Sequence, residues 1–296
     1  MRIFLTGATG YIGSHVARHL MRNGHQLFAM VRGAGEPAPT GMQPVVADLA
    51  RPDEFARIAS GFDAVGHFAS APTPEFAALN ARAVSAVLAA IKGDQAFAMQ
   101  GGSLVFGDTA TAVRDESSGF HPPPFLAQQA RLEESVLAAA RGSGPRSFVV
   151  YASMVHGGKG AMIPGALARA AAQRGSLPLP GTGTQLWSTV HVEDWAQLIA
   201  HVLERGPGGG HAYLAAGPAV SIGKLLDIAS DVWTLSPPFA ADEQTLQSAY
   251  GFFAPALAVS QHFSAAKAQR DFGWEPRRND LAASLKEVLK PESGDR

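Results

Sequence analysis

The sequence predicts an α/β fold: a doubly wound parallel sheet followed by a smaller C-terminal substrate domain. Three observations predict it. Short apolar runs alternate with helix-period stretches from residue 2 to residue 151, the first run ends in a glycine loop that opens a helix, and glycine and proline crowd the chain thereafter. Residues 2–6 read as the first strand. Residues 11–22 place Ile12, Val16, Leu20 and Met21 on one helical face. Further strands are read at 26–31, 44–47, 64–69, 96–106 and 147–151, with an Ala-rich helix at 73–92 and another at 126–141. Strands alternating with helices imply a parallel sheet covered on both faces.

After Tyr151, the stretches GGKG, LPLPGTGT and GPGGG punctuate the chain around helical residues 163–174. The predicted division is therefore residues 1–155 and 156–296. The short extended segments 188–192 and 211–215 could return to the main sheet. Residues 290–296 read as a polar, frayed tail.

Composition narrows the function. Of the 296 residues 46% are hydrophobic, enough for a large core. Lys and Arg total 24 against 25 Asp and Glu, which leaves no basic surplus for nucleic acid or an anionic membrane, so a small-molecule partner is expected. The chain has no cysteine, which excludes disulfides, thiolate metal sites and cysteine nucleophiles. No His/Asp/Glu spacing resembles a metal site, and G-x-S-x-G is absent. The apolar start MRIFL is too short for a signal peptide, and no later run is apolar enough to span a bilayer. A cytoplasmic location is expected.

Gly7, Gly10 and Gly13 form GATGYIG between a predicted strand and a predicted helix. That context identifies a Rossmann-type dinucleotide loop. The glycines permit a tight turn and close backbone approach to a pyrophosphate, and the helix N-terminus offers N–H groups and partial positive charge. The second strand ends in Val31-Arg32 rather than in an acid. An arginine there can pair with a 2′-phosphate, so NADP(H) is favoured over NAD(H). The alternative is a solvated Arg32, with a carboxylate placed elsewhere reading the ribose. Asp48-Leu49 closes the third strand, where the pair either reaches an adenine edge or caps a helix. His67, among apolar neighbours, reads as a satisfied core histidine.

Taken in order, GATGYIG, Asp48-Leu49, HFA at 67–69, Asn80, LVFGDT, Asp115-Glu116, Glu133 and TVHVEDWAQ resemble the NAD-dependent epimerase/dehydratase group of extended or atypical short-chain dehydrogenases/reductases. The resemblance covers residues 1 to about 230. It implies a cofactor set that adds Thr9, Tyr11, Ile12, Phe68 and Ala69 to the glycines, Arg32, Asp48 and Leu49. A homodimer is expected by the same analogy.

The departures bear on chemistry. The resemblance places a Tyr and a Lys, four residues apart, at Phe125 and Gln129, and a Ser at Gly102. Phenylalanine cannot donate the proton that a lysine-tuned tyrosine gives to a carbonyl oxygen. No Tyr-x-x-x-Lys occurs anywhere in the chain. With a slipped alignment, Ser103 partly serves in place of the missing serine. YASMVHG, 151–157, stands for R-P-x-x-V-Y-G, so Tyr151, His156 and Lys159 are either polar groups beside a nicotinamide or packing and surface residues. His121 is read as a polar group over the same pocket or, favoured by the three prolines after it, as a loop residue. His191 and Asp194 are read as structural. The expectation is an enzyme, an NADP(H)-dependent oxidoreductase or an epimerase/dehydratase-like one. The alternatives are a non-redox isomerase, dehydratase or cyclase on the same scaffold, and a non-catalytic dinucleotide-binding sensor.

Overall fold

The structure is a computed structural model that describes residues 1–71, 73–140 and 144–288. The expected tail at 290–296 and the end of the expected helix at 141 lie outside the described residues. The first strands are β1 (Arg2–Thr6), β2 (Gln26–Val31), β3 (Gln43–Val46), β4 (Ala64–His67), β5 (Ala96–Gly102) and β6 (Arg146–Ala152). They are followed by β7 (Met154–His156), β8 (Pro178–Pro180), β9 (Leu186–His191) and β10 (Gly210–Ala215), then β11 (Ala219–Ser221) and β12 (Phe239–Ala241). Seven of them form one sheet in the order β10-β6-β5-β4-β1-β2-β3. The pairs β4/β1, β1/β2, β2/β3 and β4/β5 are parallel, as the alternation of strands and helices predicts.

The chain divides into two compact units, each gathered from three segments. The first comprises Met1–Gly101, Pro122–Tyr151 and Ala196–Tyr213. It holds the sheet, with helices α1 (Tyr11–Arg22), α2 (Pro52–Ala59), α3 (Pro74–Ala90) and α4 (Ala127–Ala138). Its core is aliphatic and aromatic: Ile3, Leu5, Val16 and Leu20 are fully buried, and Phe4 packs between Phe55 and Phe62 with ring centroids 5.9 and 5.1 Å away. Of the two extended segments that sequence left open, 210–215 pairs beside β6, while 186–191 pairs with β7 and β11 in a separate three-stranded sheet.

Two expected elements are shorter than the sequence predicts. The run 96–106 is strand only to Gly102, and Ser103–Phe106 tightens into a 3₁₀ turn closed by Gly107 at φ 71°. Helix α4 starts at Ala127, and Phe125 sits in a preceding 3₁₀ turn, Pro124–Leu126. Prolines at 122–124 hold φ and lack N–H donors, so an α-helix cannot run back through them.

The second unit comprises Gly102–His121, Ala152–Trp195 and Leu214–Arg296. Leu167, Leu177, Trp187, Leu225 and Leu226 anchor its core. Asp194, almost fully buried, accepts hydrogen bonds from the N–H groups of Arg277 and Arg278, both at 2.8 Å, and from the Arg278 guanidinium at 2.6 Å. The Asp194 carbonyl accepts the Trp274 indole N–H at 2.9 Å. Asp194 thus clamps the segment after Trp274. Asp194→Ala is expected to lower the unfolding free energy by at least about 2 kcal/mol, read by chemical denaturation, because it leaves backbone donors unsatisfied.

Candidate functional site

At the end of β1 the chain turns through Gly7 at φ 64°, a conformation that costs a side chain steric energy. A Cβ on Gly7 would also lie 2.5 Å from the carbonyl carbon of Phe68. One on Gly13 would collide with the Gly7 carbonyl, so α1 lies directly on the loop. At Gly10, by contrast, an added Cβ would meet only the Gly7 oxygen, at 3.1 Å. Gly10 is exposed and precedes α1 without a side-chain cap, and the first turn of α1 contains no acidic residue. The first-turn N–H groups of a helix have no intrahelical acceptor, so this end is suited to an anion.

Parallel pairing sets the carboxyl ends of β4, β1, β2 and β3 side by side, in the registers Thr6↔His67, Leu5↔Ala29 and Val31↔Val46. Phe68-Ala69, the glycine loop, Arg32 and Asp48-Leu49 therefore follow one sheet edge. The chain winds outward from β1 in one direction and from β4 in the other, so the loop lies at the topological switch point, where open α/β sheets bind ligands.

Buried hydrogen bonds fix that edge. Thr6 Oγ1 accepts the N–H groups of Phe68 and Ala69, both at 3.2 Å, so its hydroxyl proton is directed to His67 Nδ1 at 2.9 Å. His67 Nε2–H then donates to Asn80 Oδ1 at 2.6 Å. Burial pushes His67 down to about 4, so the ring is neutral. The core reading of His67 agrees with these contacts. Asp48 does not cap α2, whose N-cap is Arg51; its Oδ1 accepts Ala50 N–H at 2.8 Å in a local turn. Leu49 is buried and Arg32 exposed. Sequence reading missed Glu36, whose Oε2 accepts the Arg32 N–H at 2.9 Å.

The proposed catalytic positions have distinct environments. Tyr151, in the first unit, is fully buried, and its ring occupies the space left by Gly101, where a Cβ would lie 2.5 Å from two ring carbons. Its phenol faces the Glu133 carboxyl, whose Oε1 accepts Gln129 Nε2–H at 2.8 Å. Burial raises Glu133 to about 8 against the Gln129 bond and the nearby phenol, and burial together with Glu133 raises Tyr151. Gln129 faces Glu133 one helical turn away, whereas Phe125, 47% exposed, lies outside α4.

In the second unit, Ser103 is buried and donates to Gln261 Oε1 at 2.8 Å. His156 is fully buried, its Nδ1 2.8 Å from Ser284 Oγ and its ring edge-on to His191 at 5.4 Å. Burial lowers His156 to about 4. His121 is exposed, and its N–H bonds the Val105 carbonyl at 2.9 Å. Lys159 is exposed. Ser103 and His156 thus have separate partners.

Residues 3–216 match the family described as NAD-dependent epimerase/dehydratase. The chain belongs to that family. Among its relatives, an uncharacterised protein of Schizosaccharomyces pombe is 27% identical, over 96% of this chain and 98% of the relative. A UDP-glucose 4-epimerase of Streptomyces lividans is 26% identical, over 95% and 93%. The solved dTDP-glucose 4,6-dehydratase of Streptomyces venezuelae, which has NAD bound, superposes with a TM-score of 0.74 at 21% identity, covering 97% of this chain and 96% of that one. This epimerase/dehydratase family member shares its fold with that solved structure, and it has the parallel sheet that the sequence predicts.

Glu133 makes a pH prediction for this family member. Its folded value near 8 exceeds the ordinary 4.5, so between those values the unfolded chain releases a proton that the folded chain keeps. Stability falls as pH rises through that window and stays low above it. Glu133→Gln is expected to raise Tm at pH 8 and change it little at pH 4.5, which thermal melts across that range will read.

Proposed function

We propose that this chain is a nicotinamide dinucleotide-dependent enzyme acting on a small molecule, with NADP(H) favoured over NAD(H). The carrying observation is the cradle at the switch point, where glycines leave Gly10 open beside an uncapped helix start. The residues fit the group. Gly7, Thr9, Gly10, Tyr11, Ile12 and Gly13 would hold the pyrophosphate, Arg32 a 2′-phosphate, and Asp48, Leu49, Phe68 and Ala69 the flanking edge. When bound, the nicotinamide supplies or takes up a hydride. The second unit, which contains the Gly- and Pro-rich stretches 157–160 and 177–184, would bind the substrate.

The proton side of the chemistry differs from that implied by the sequence resemblance. Gln129 turns to Glu133, Phe125 brings no hydroxyl, and Tyr151 is buried against the same carboxyl. In this reading the enzyme handles an activated alkene, an iminium or another substrate that needs little acid assistance. Tyr151, His156, Ser103 and His121 are the named replacements to test singly. The Tyr151 and His156 variants also need a folding check, because both side chains are fully buried.

Binding and turnover measurements test this. Calorimetric titration is expected to show NADPH binding tighter than NADH, and Gly10→Val is expected to abolish binding while Tm moves by no more than a few degrees. Equal affinities would refute the NADPH preference, and intact binding by Gly10→Val would refute the loop's role. Turnover of simple and sugar-like ketones with NADPH is expected to be low, in keeping with the roughly 10²–10⁴-fold that a positioned acid contributes. The double variant Phe125→Tyr, Gln129→Lys is expected to raise it. Robust wild-type turnover that survives each single change at the four named positions would refute the proposal.

A further inference from the structure

The end of β2 carries two opposite charges that the linear sequence does not place together. Arg32 is exposed immediately after the strand. The chain then turns back, with Glu36 N–H donating to the Gly33 carbonyl at 3.2 Å. This return brings Glu36 Oε2 to 2.9 Å from the Arg32 backbone nitrogen. The carboxylate folds close over Gly33, where an added Cβ would touch Glu36 Oε1 at 3.6 Å. A carboxylate thus stands at the strand end, although no acid occupies the strand-end sequence position.

We infer that Glu36 is a specificity-determining residue that opposes a 2′-phosphate and favours a free ribose diol, narrowing the preference that Arg32 creates. The inference rests on the proposal above that this edge holds the dinucleotide. A carboxylate at the end of the second strand accepts hydrogen bonds from the 2′- and 3′-hydroxyls and repels a 2′-phosphate, while an arginine attracts that phosphate. Each group alone would produce strong selection, in opposite directions. Together they leave a chain that takes both cofactors, with NADPH modestly ahead. Because both groups are exposed, the opposition is screened by salt.

The test is calorimetric binding of NADPH and NADH to the wild type, Glu36→Gln and Arg32→Ala, at low and high ionic strength. Glutamine keeps an oxygen to accept the Arg32 N–H, so the loop retains its shape and only the charge is lost; an unchanged Tm checks this. Glu36→Gln is expected to widen the NADPH-to-NADH affinity ratio about tenfold at low salt and by less at high salt, while Arg32→Ala brings the ratio to one or below. A Glu36→Gln ratio within twofold of wild type, with both cofactors still bound, would overturn this inference alone. Failure of the wild type and Glu36→Gln to bind either dinucleotide would overturn both this inference and the reading beneath it.

Discussion

The close approach of two backbones, Gly7 against Phe68, is the constraint on which the functional edge depends. It requires a residue without a Cβ in a left-handed turn, and it brings the loop after β1 against the end of β4. Thr6 then collects the N–H groups of Phe68 and Ala69 and passes its own proton to His67, which is tied to Asn80. These bonds satisfy buried polar groups at the place where the chain winds away from β1 and β4 in opposite directions, so the edge keeps its shape while Gly10 stays exposed. The glycine loop and the Thr6–His67–Asn80 chain are therefore one device. The glycines make room, and the polar chain holds it.

A second buried network has the opposite character. Tyr151, Glu133 and Gln129 turn toward one another, and Gly101 makes way for the tyrosine ring. Glu133 sits where water cannot stabilise its charge, so it keeps its proton at neutral pH. A neutral carboxylic acid can both donate and accept hydrogen bonds, which suits a site shared with a phenol and an amide. This arrangement binds a strand to a helix inside the first unit.

Local features were legible in the sequence, and features made by chain return were not. GATGYIG could be read because its glycines, strand and helix are consecutive, and the pattern survives whatever the rest of the chain does. The first strands and α1 were legible for the same reason. Phe125 and Gln129 were expected on one helix, but proline at 124 leaves Phe125 in a tighter turn before α4. Glu36 was overlooked because its approach to Arg32 depends on the turn through Gly33, which has no fixed spacing to recognise. The sequence offers Asp48 as a helix cap, but its side chain turns to the nearer N–H of Ala50. The partners of Ser103 and His156, Gln261 and Ser284, lie more than 100 residues away and share no motif with them.

The outer strand β10 also shapes how the protein is made. It flanks β6, and the Gly209 carbonyl accepts the Ser147 N–H at 3.1 Å. Arg146 reaches the Gly206 carbonyl at 2.8 Å, so the strand's approach is held as well. During synthesis the ribosome must therefore add some sixty residues beyond β6, most of them belonging to the other unit, before this sheet acquires its last edge. Until then the outer side of β6 presents unpaired backbone groups to other nascent chains, a known route to aggregation. Pairings that close over such long stretches of sequence also slow folding. The β6 edge is therefore closed only once residues up to 215 are available to pair.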